Sequence, residues 1–149
     1  MKSENENTFH YFAYASNLNT SLLEQRSGGL IYNQIQGRLI DYGFRFNKKN
    51  TDGSARANII VSESEDVFGV LYLLDEKCRD SLLKSESNYR IIEVSIETNQ
   101  GNQQAFTFIS DEDAEGIYPL PGYLKTIVEG AKEHNLPAEY MDFIKSMAK

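Results

Sequence analysis

The chain has 149 residues and a formal net charge of −7, with 40% hydrophobic and 25% charged residues. This length and composition are typical of one globular domain with a buried core, and they exclude disordered and fibrous proteins. The acidic balance argues against nucleic acid as a partner, because a phosphate-binding surface needs clustered lysine and arginine. The best such cluster, Lys48-Lys49, lies among Asn and Asp residues and is typical of a solvated turn.

Several features indicate where the protein resides. Its apolar runs, such as FGVLYLL, are too short to span a bilayer. The N-terminal stretch MKSENENT is polar and lacks the apolar region of a secretion signal. The single cysteine excludes an internal disulfide and fits a reducing compartment. We therefore expect a cytoplasmic protein without membrane association, with one domain over residues 1–149 and a flexible lead over residues 1–7.

The first two thirds of the chain predict strands. Aromatic residues favour a strand over Phe9–Tyr14. A short helix follows, capped by Asn19 or Thr20 and closed by Gly28-Gly29. Further strands are predicted over Leu30–Ile40, Tyr42–Phe46, Ala57–Val61, Val67–Leu74, Tyr89–Ile96 and Ala105–Ile109.

The segments between these strands are predicted from their turn residues. NKKNTDGS is expected to form a long loop, SESED an acidic turn and TNQGNQ the turn of a hairpin. Asp75 is placed to cap an inserted helix that carries Cys78 and Leu82 on one face.

The last third changes to helical spacing. Apolar residues from Tyr123 to Ala131 form one stripe and those from Tyr140 to Met147 another, with Pro137 at the start of the second helix. Strands and helices do not alternate regularly along the chain. This order predicts an α+β fold, an antiparallel and barrel-like sheet with helices packed outside it.

Most catalytic and metal-binding motifs are absent. The two histidines, His10 and His134, lie far apart, and neither has a second ligand at metal spacing. Cys78 has no activating base nearby in the sequence and is typical of a buried core residue. Two other stretches remain as candidates for function.

The first candidate is YFAYASNL, a strand that runs into Ala-Ser-Asn just before a helix. Such an ending leaves backbone N–H groups without strand partners, and these groups can bind a carboxylate or a developing oxyanion. The alternative is a plain strand-to-helix turn in which Ser16 or Asn17 caps the helix.

The second candidate is Glu86 in LLKSESNYR, between the inserted helix and the next strand. Partial burial there would raise the pKa of its carboxyl group toward that of a general base. The alternative is an exposed loop glutamate, and composition does not select Glu86 among the acidic residues.

Together these stretches resemble the γ-glutamylcyclotransferase family. Tyr14-Ala15-Ser16-Asn17-Leu18 is similar to the family's YGSNL loop, and SLLKSESNY resembles the segment with its glutamate, here Glu86. The tail PGYLKTIVEGAKEHNLPAEYMDFI resembles the closing helices of the animal enzymes. The resemblance extends from Phe9 to about Ile144.

The resemblance implies a small mixed, mainly antiparallel β-barrel flanked by helices. It also implies an enzyme of glutathione metabolism that needs no metal or cofactor. A γ-glutamyl amino acid or amine would cyclise to 5-oxoproline and release its amine, with Glu86 as general base and acid. Backbone N–H groups of the turn would hold substrate oxygens, and tyrosine hydroxyls would act as donors. The implied substrate-binding residues are Tyr14, Ala15, Ser16, Asn17, Leu18, Tyr89 and Tyr123.

Two differences from the family leave alternatives open. Ala15 stands where the family has glycine, and Ser87 follows Glu86 where glycine is frequent. A non-catalytic module that binds a γ-glutamyl ligand is therefore a second hypothesis. A third is an amide-cleaving enzyme that acts on a γ-glutamyl group of a larger carrier. The segments NKKNTDGSARAN and SDEDAEG are expected to select the released amine, and the protein is expected to be a monomer or a homodimer.

Overall fold

The computed structural model describes residues 7–148. Within this range the chain forms five strands and four α-helices, joined in two places by a 3-10 turn. The strands are β1 (Thr8–Ala13), β2 (Ile31–Lys49), β3 (Ala55–Asp75), β4 (Arg90–Thr98) and β5 (Gly101–Ile109). The helices are α1 (Thr20–Ser27), α2 (Arg79–Ser85), α3 (Pro121–Glu133) and α4 (Ala138–Ser146), and the 3-10 turns are Ser16–Leu18 and Glu76–Cys78.

The strands close into a barrel in the order β1-β3-β2-β4-β5. All neighbouring pairs are antiparallel except β1 and β5, which run parallel and pair at Tyr11 and Phe106. Buried aromatic and aliphatic side chains of these strands, with residues of the helices, form the core. The fold class predicted from the sequence, a mixed and mainly antiparallel barrel flanked by helices, is confirmed.

Two pairs of predicted strands are each one long strand. Leu30–Ile40 and Tyr42–Phe46 merge into β2, and SESED lies inside β3, so the prediction of a turn there was wrong. The pairing of β2 with β3 shifts register beside Asp41, and Asp41 and Ser64 have φ values of 64° and 71°. A bulge with polar residues in left-handed conformation resembles a turn in sequence, yet it bends a strand without ending its pairing.

The predicted long loop NKKNTDGS is shorter than expected. Asn47, Lys48 and Lys49 continue β2, and the turn closes with a hydrogen bond from the Asn50 N–H to the Ser54 carbonyl oxygen at 2.8 Å. Gly53 takes a φ of 88°, which a side chain would disfavour.

The helix caps lie where the sequence placed them. The Asn19 side chain accepts a hydrogen bond from the Leu22 N–H at 3.1 Å and caps α1, so neither Ser16 nor Asn17 has this role. Gly28 ends α1 in the left-handed conformation. Asp75 accepts from the Lys77 N–H at 2.8 Å and caps the 3-10 turn that leads into α2.

Residues 1–6 of the predicted flexible lead lie outside the described range. Asn7 is described, and its carbonyl oxygen accepts a hydrogen bond from the Glu76 N–H at 2.7 Å. Cys78 is buried in the core, as expected. Across residues 7–148, each helix is too short or too polar to cross a bilayer.

Helix α3 contacts the 3-10 turn Ser16–Leu18 through Gly130. An added Cβ at Gly130 would lie 2.6 Å from the Asn19 nitrogen and 2.7 Å from the Leu18 carbonyl carbon. These are backbone atoms that cannot move without displacing the turn. Glycine at position 130 therefore sets how closely α3 supports this end of β1.

We expect Gly130→Ala to lower the free energy of unfolding by about 1–3 kcal/mol, because the added methyl group overpacks a backbone contact. Gly122→Ala in the same helix is the control, since an added Cβ there meets no neighbour within 4 Å. That variant should leave stability unchanged or raise it by up to about 1 kcal/mol through helix propensity. Urea denaturation measures both, and equal effects would contradict the proposed close contact.

Candidate active site

A pocket with about 310 Å³ of empty space, part of it open to solvent, lies where β1 ends in the turn Ser16–Leu18. Residues from β1, the turn, β3, the segment between α2 and β4, the end of β5 and α3 contribute to its wall. The lining residues are Tyr11, Tyr14, Ala15, Ser16, Asn17, Arg56, Ala57, Glu86, Tyr89, Phe108 and Tyr123.

The backbone of the turn presents amide groups. Leu18 N–H donates to the Ala15 carbonyl oxygen at 3.0 Å, and Asn19 N–H donates to the Ser16 carbonyl oxygen at 3.1 Å. In the described part of the chain, the N–H groups of Ala15, Ser16 and Asn17 have no acceptor. Three of the four predicted donors are thus available to a ligand.

Leu18 differs from the other predicted binding residues. Its N–H is used within the turn, its side chain is fully buried, and it does not belong to the described pocket lining. A 3-10 turn consumes the amide of its last residue, which the sequence motif does not reveal. Ala15 has a φ of −132°, so this position does not require the left-handed conformation that favours glycine.

Side-chain contacts hold the turn in place. One nitrogen of Arg26, Nη1, donates to Ser16 Oγ and to Asn17 Oδ1, both at 2.9 Å. The Asn17 amide nitrogen donates in turn to the Tyr11 hydroxyl oxygen at 3.0 Å. These polar groups are therefore satisfied within the protein and fix the direction of the backbone amides.

Glu86 lies directly after α2 and is buried, with 7% of its surface exposed. Its Oε2 atom is 3.2 Å from Arg56 Nη2, and its Oε1 atom is 3.6 Å from Arg26 Nη1. Burial raises the pKa of the Glu86 carboxyl group above its ordinary value of 4.5, and this effect exceeds the lowering by Arg56 and Arg26. The alternative of an exposed loop glutamate is wrong.

The three tyrosines predicted as donors differ in how their hydroxyl groups are used. Tyr14 donates to the Phe108 carbonyl oxygen at 2.8 Å, and Tyr89 donates to the Ala57 carbonyl oxygen at 2.7 Å. The Tyr123 hydroxyl instead accepts from the Ala57 N–H at 3.0 Å. Only Tyr123 among the three therefore keeps its hydroxyl hydrogen for a ligand.

The sequence reasoning missed both arginines and Tyr11. Arg26 lies in the last turn of α1, where a basic residue is favourable in any helix, so nothing distinguishes it. Arg56 lies in the segment NKKNTDGSARAN, which the sequence analysis expects to select the released amine and not to bind the γ-glutamyl half. Ser87, whose difference from the family was noted, lines a neighbouring groove and does not reach the pocket in the described structure.

Across residues 7–148, no group of three or more His, Cys, Asp or Glu side chains is placed to hold a metal ion. His134 Nε2 lies 3.1 Å from Thr20 Oγ1 and 3.2 Å from the Tyr72 hydroxyl oxygen. The Tyr72 hydroxyl donates to the Leu18 carbonyl oxygen at 3.2 Å. His134 thus links the end of α3 to the turn.

Comparison with known proteins agrees with this architecture. Residues 66–144 match the model of the AIG2-like family. The γ-glutamylcyclotransferase of Bos taurus is 30% identical over 99% of this chain and 82% of its own length, and that of Mus musculus is 31% identical over 94% and 79%. A solved structure titled γ-glutamyl cyclotransferase superimposes with a TM-score of 0.83 at 29% identity, covering 93% of this chain and 87% of that one.

The matches to the two enzymes and to the solved structure extend over the barrel, the pocket and the closing helices. The chain therefore belongs to the γ-glutamylcyclotransferase, AIG2-like family.

Tyr123→Phe should lower the free energy of unfolding by about 1–3 kcal/mol, because it leaves the N–H of Ala57 buried without an acceptor. Tyr118→Phe is the control, since the Tyr118 side chain is half exposed. Loss of its hydroxyl group should change the free energy of unfolding by no more than about 0.5 kcal/mol. Chemical denaturation measures both variants. Equal stabilities would show that the Tyr123 hydroxyl is not needed by the backbone.

Proposed function

We propose that the protein is a γ-glutamylcyclotransferase. It converts a γ-glutamyl amino acid or γ-glutamyl amine to 5-oxoproline and releases the amine. The observation that carries the proposal is the placement of buried Glu86 in the same small pocket as the free amides of Ala15, Ser16 and Asn17. The family of the chain supports the same reaction.

The reaction needs proton transfers that a single carboxylate can perform. The substrate's α-ammonium group gives a proton to Glu86, and the resulting amine attacks the γ-carbonyl carbon to form the ring C–N bond. The tetrahedral intermediate then breaks its bond to the original amide nitrogen, which takes this proton from Glu86 as it leaves. The ring nitrogen gives its second proton to Glu86, which passes it to the released amine. Since the attacking group belongs to the substrate, the protein supplies no covalent nucleophile.

The turn has the properties needed to stabilise the intermediate. Negative charge develops on the γ-carbonyl oxygen, and the free amides of the turn are donors for it. Their direction is set before the substrate binds, because Arg26 holds the Ser16 and Asn17 side chains. The pocket also has to fold the flexible γ-glutamyl chain so that the amine approaches the carbonyl carbon.

The non-catalytic hypothesis rested on Ala15 and Ser87. The φ of Ala15 is accessible to alanine, and Ser87 lies outside the described pocket lining. Neither difference removes the carboxylate or the free amides, so catalysis is the better supported function. We also propose that the enzyme acts in the cytoplasm on γ-glutamyl compounds of glutathione metabolism, as a monomer or a homodimer.

We expect Glu86→Gln to lower kcat by about 100-fold or more, because the amide cannot accept the proton of the ammonium group. The assay incubates the protein with γ-glutamyl-alanine, γ-glutamyl-lysine and glutathione, and quantifies 5-oxoproline.

The control is Glu65→Gln, which alters a partly buried glutamate paired with Arg45 and should retain the parent rate. Stabilisation of Glu86→Gln by 5-oxoproline in a thermal melt would show that its pocket is intact. An unchanged rate in Glu86→Gln would contradict the assignment of the base. Absence of product from the parent protein, with binding of 5-oxoproline, would favour the non-catalytic module.

Activity should also depend on pH through Glu86. The base acts in its ionised form, so lowering the pH through its raised pKa protonates it and lowers kcat/KM. We expect the acidic side of the kcat/KM profile to have its midpoint above 4.5, the ordinary pKa of a glutamate. Initial rates over about pH 4 to 8, with the fold monitored at each pH, measure this. A midpoint at or below 4.5 would mean that burial does not dominate the pKa of the acting base.

A further inference from the structure

We propose that the ion pair of Glu86 and Arg56 recognises the α-amino acid head group of the substrate, with the ammonium group on Glu86 and the α-carboxylate on Arg56. This inference rests on the proposed function and adds a specificity-determining residue to it. Arg56 would make the enzyme selective for γ-glutamyl compounds whose α-carboxylate is free.

Arg56 is placed to serve a ligand. It follows the first residue of β3 and lines the pocket, and its Nη2 atom lies 3.2 Å from Glu86 Oε2. The centre of its guanidinium group lies 5.1 Å from the centroid of the Tyr89 ring, which holds the group in position through its face. Arg56 also makes hydrogen bonds with Glu86 and with the Tyr123 hydroxyl. A guanidinium group has five N–H donors and contact with the ring uses none of them, so further donors remain for a ligand.

Arg26 does not have the same freedom. The nitrogen that approaches Glu86 at 3.6 Å already donates to Ser16 and Asn17 at 2.9 Å. Arg26 also does not belong to the described pocket lining. Moving Arg26 toward a ligand would release the turn. Moving Arg56 breaks its pairing with Glu86 and its contacts with the Tyr123 hydroxyl and the Tyr89 ring, but it leaves the turn in place. Of the two cations, Arg56 is therefore the one that a substrate can engage.

The covalent structure of the substrate fits this pair. The amine that Glu86 must deprotonate and the α-carboxylate are bonded to the same carbon, so their nitrogen and oxygen atoms are about 3 Å apart. The carboxylate and guanidinium groups of the pair are separated by a similar distance, 3.2 Å. A head group with the ammonium at Glu86 therefore brings its carboxylate within reach of Arg56.

Binding then exchanges partners without leaving a charge unpaired. The single ion pair of Glu86 with Arg56 is replaced by two ion pairs to the substrate, while Arg26 stays beside Glu86, and every buried charge keeps an opposite charge beside it. Glu86 is left facing the ammonium group from which it takes the proton. A substrate whose α-carboxylate is converted to a neutral amide would leave Arg56 without this partner.

The test combines substrate analogues with protein variants. The parent substrate is γ-glutamyl-alanine. One analogue carries a carboxamide in place of the α-carboxylate of the γ-glutamyl half, and the other carries it in place of the carboxylate of the alanine half. The three substrates are incubated with the unaltered protein, Arg56→Met and Arg56→Lys. The product measured is 5-oxoproline, or 5-oxoproline amide in the case of the α-carboxamide analogue. Arg45→Met is the matched control. Arg45 is about as exposed as Arg56, and it forms an ion pair with Glu65, at 2.7 Å, in a part of the barrel outside the pocket.

With the unaltered protein and Arg45→Met, we expect the α-carboxamide to lower kcat/KM by about 10- to 100-fold, the range of a charge-assisted hydrogen-bonded pair. In Arg56→Met this loss should shrink to about 3-fold or less, while kcat/KM for γ-glutamyl-alanine falls toward that of the α-carboxamide. Arg56→Lys should give an intermediate loss, and it replaces Arg56→Met if that variant fails to fold. The carboxamide in the alanine half should change kcat/KM by the same factor in the unaltered protein and in Arg56→Met.

An equal loss for the α-carboxamide in all folded variants would overturn the role of Arg56 while leaving the cyclotransferase reaction intact. If the loss that depends on Arg56 appears with the alanine-half analogue instead, Arg56 binds the released amino acid and the inference is wrong. Absence of product from γ-glutamyl-alanine and all other γ-glutamyl substrates with the unaltered protein would overturn the proposed function itself, and the inference with it.

Discussion

Burial of Glu86 beside two arginines is the constraint on which the site depends. A carboxylate with 7% exposure is costly to ionise unless cations or donors lie next to it. Arg56 and Arg26 supply that compensation at 3.2 Å and 3.6 Å, and the net effect still raises the pKa of Glu86. Because Arg26 also binds the side chains of the turn, Glu86 and the free amides are held by one connected set of contacts.

The barrel brings these parts together from distant places in the chain. Pairing of β1 with β5 places the turn after β1 beside Phe108, whose carbonyl oxygen accepts from Tyr14. The N–H and carbonyl groups of Ala57, on β3, are bound by Tyr123 and Tyr89. Helix α3 supports the turn from outside through Gly130. Many polar groups of the pocket wall are thus hydrogen-bonded within the protein. The groups left for a ligand are few, and their directions are fixed.

Local signals predicted most elements of the fold and the turn after β1, whereas the other candidate site residues came from the resemblance to the family. The caps at Asn19 and Asp75 lie at their predicted positions, because a cap depends on a few neighbouring residues. At Asp41 the sequence predicts the end of one strand and the start of another, where the structure has a bulge inside β2. The residues of a bulge and of a turn have the same local preferences. Glu86 was found through the resemblance of a segment, because its burial depends on residues that lie far from it in sequence.

The sequence by itself determined the barrel class, the turn after β1 and the position of the glutamate, since these follow from strand-forming runs, helical spacing and a motif read in order. Only the tertiary structure decided that Arg56, 30 residues before Glu86, forms its ion pair, and that Arg26 holds the turn. It also decided which tyrosine hydroxyls are consumed by backbone groups. The physical reason is that ion pairing and desolvation depend on distance in space, which a single sequence does not contain.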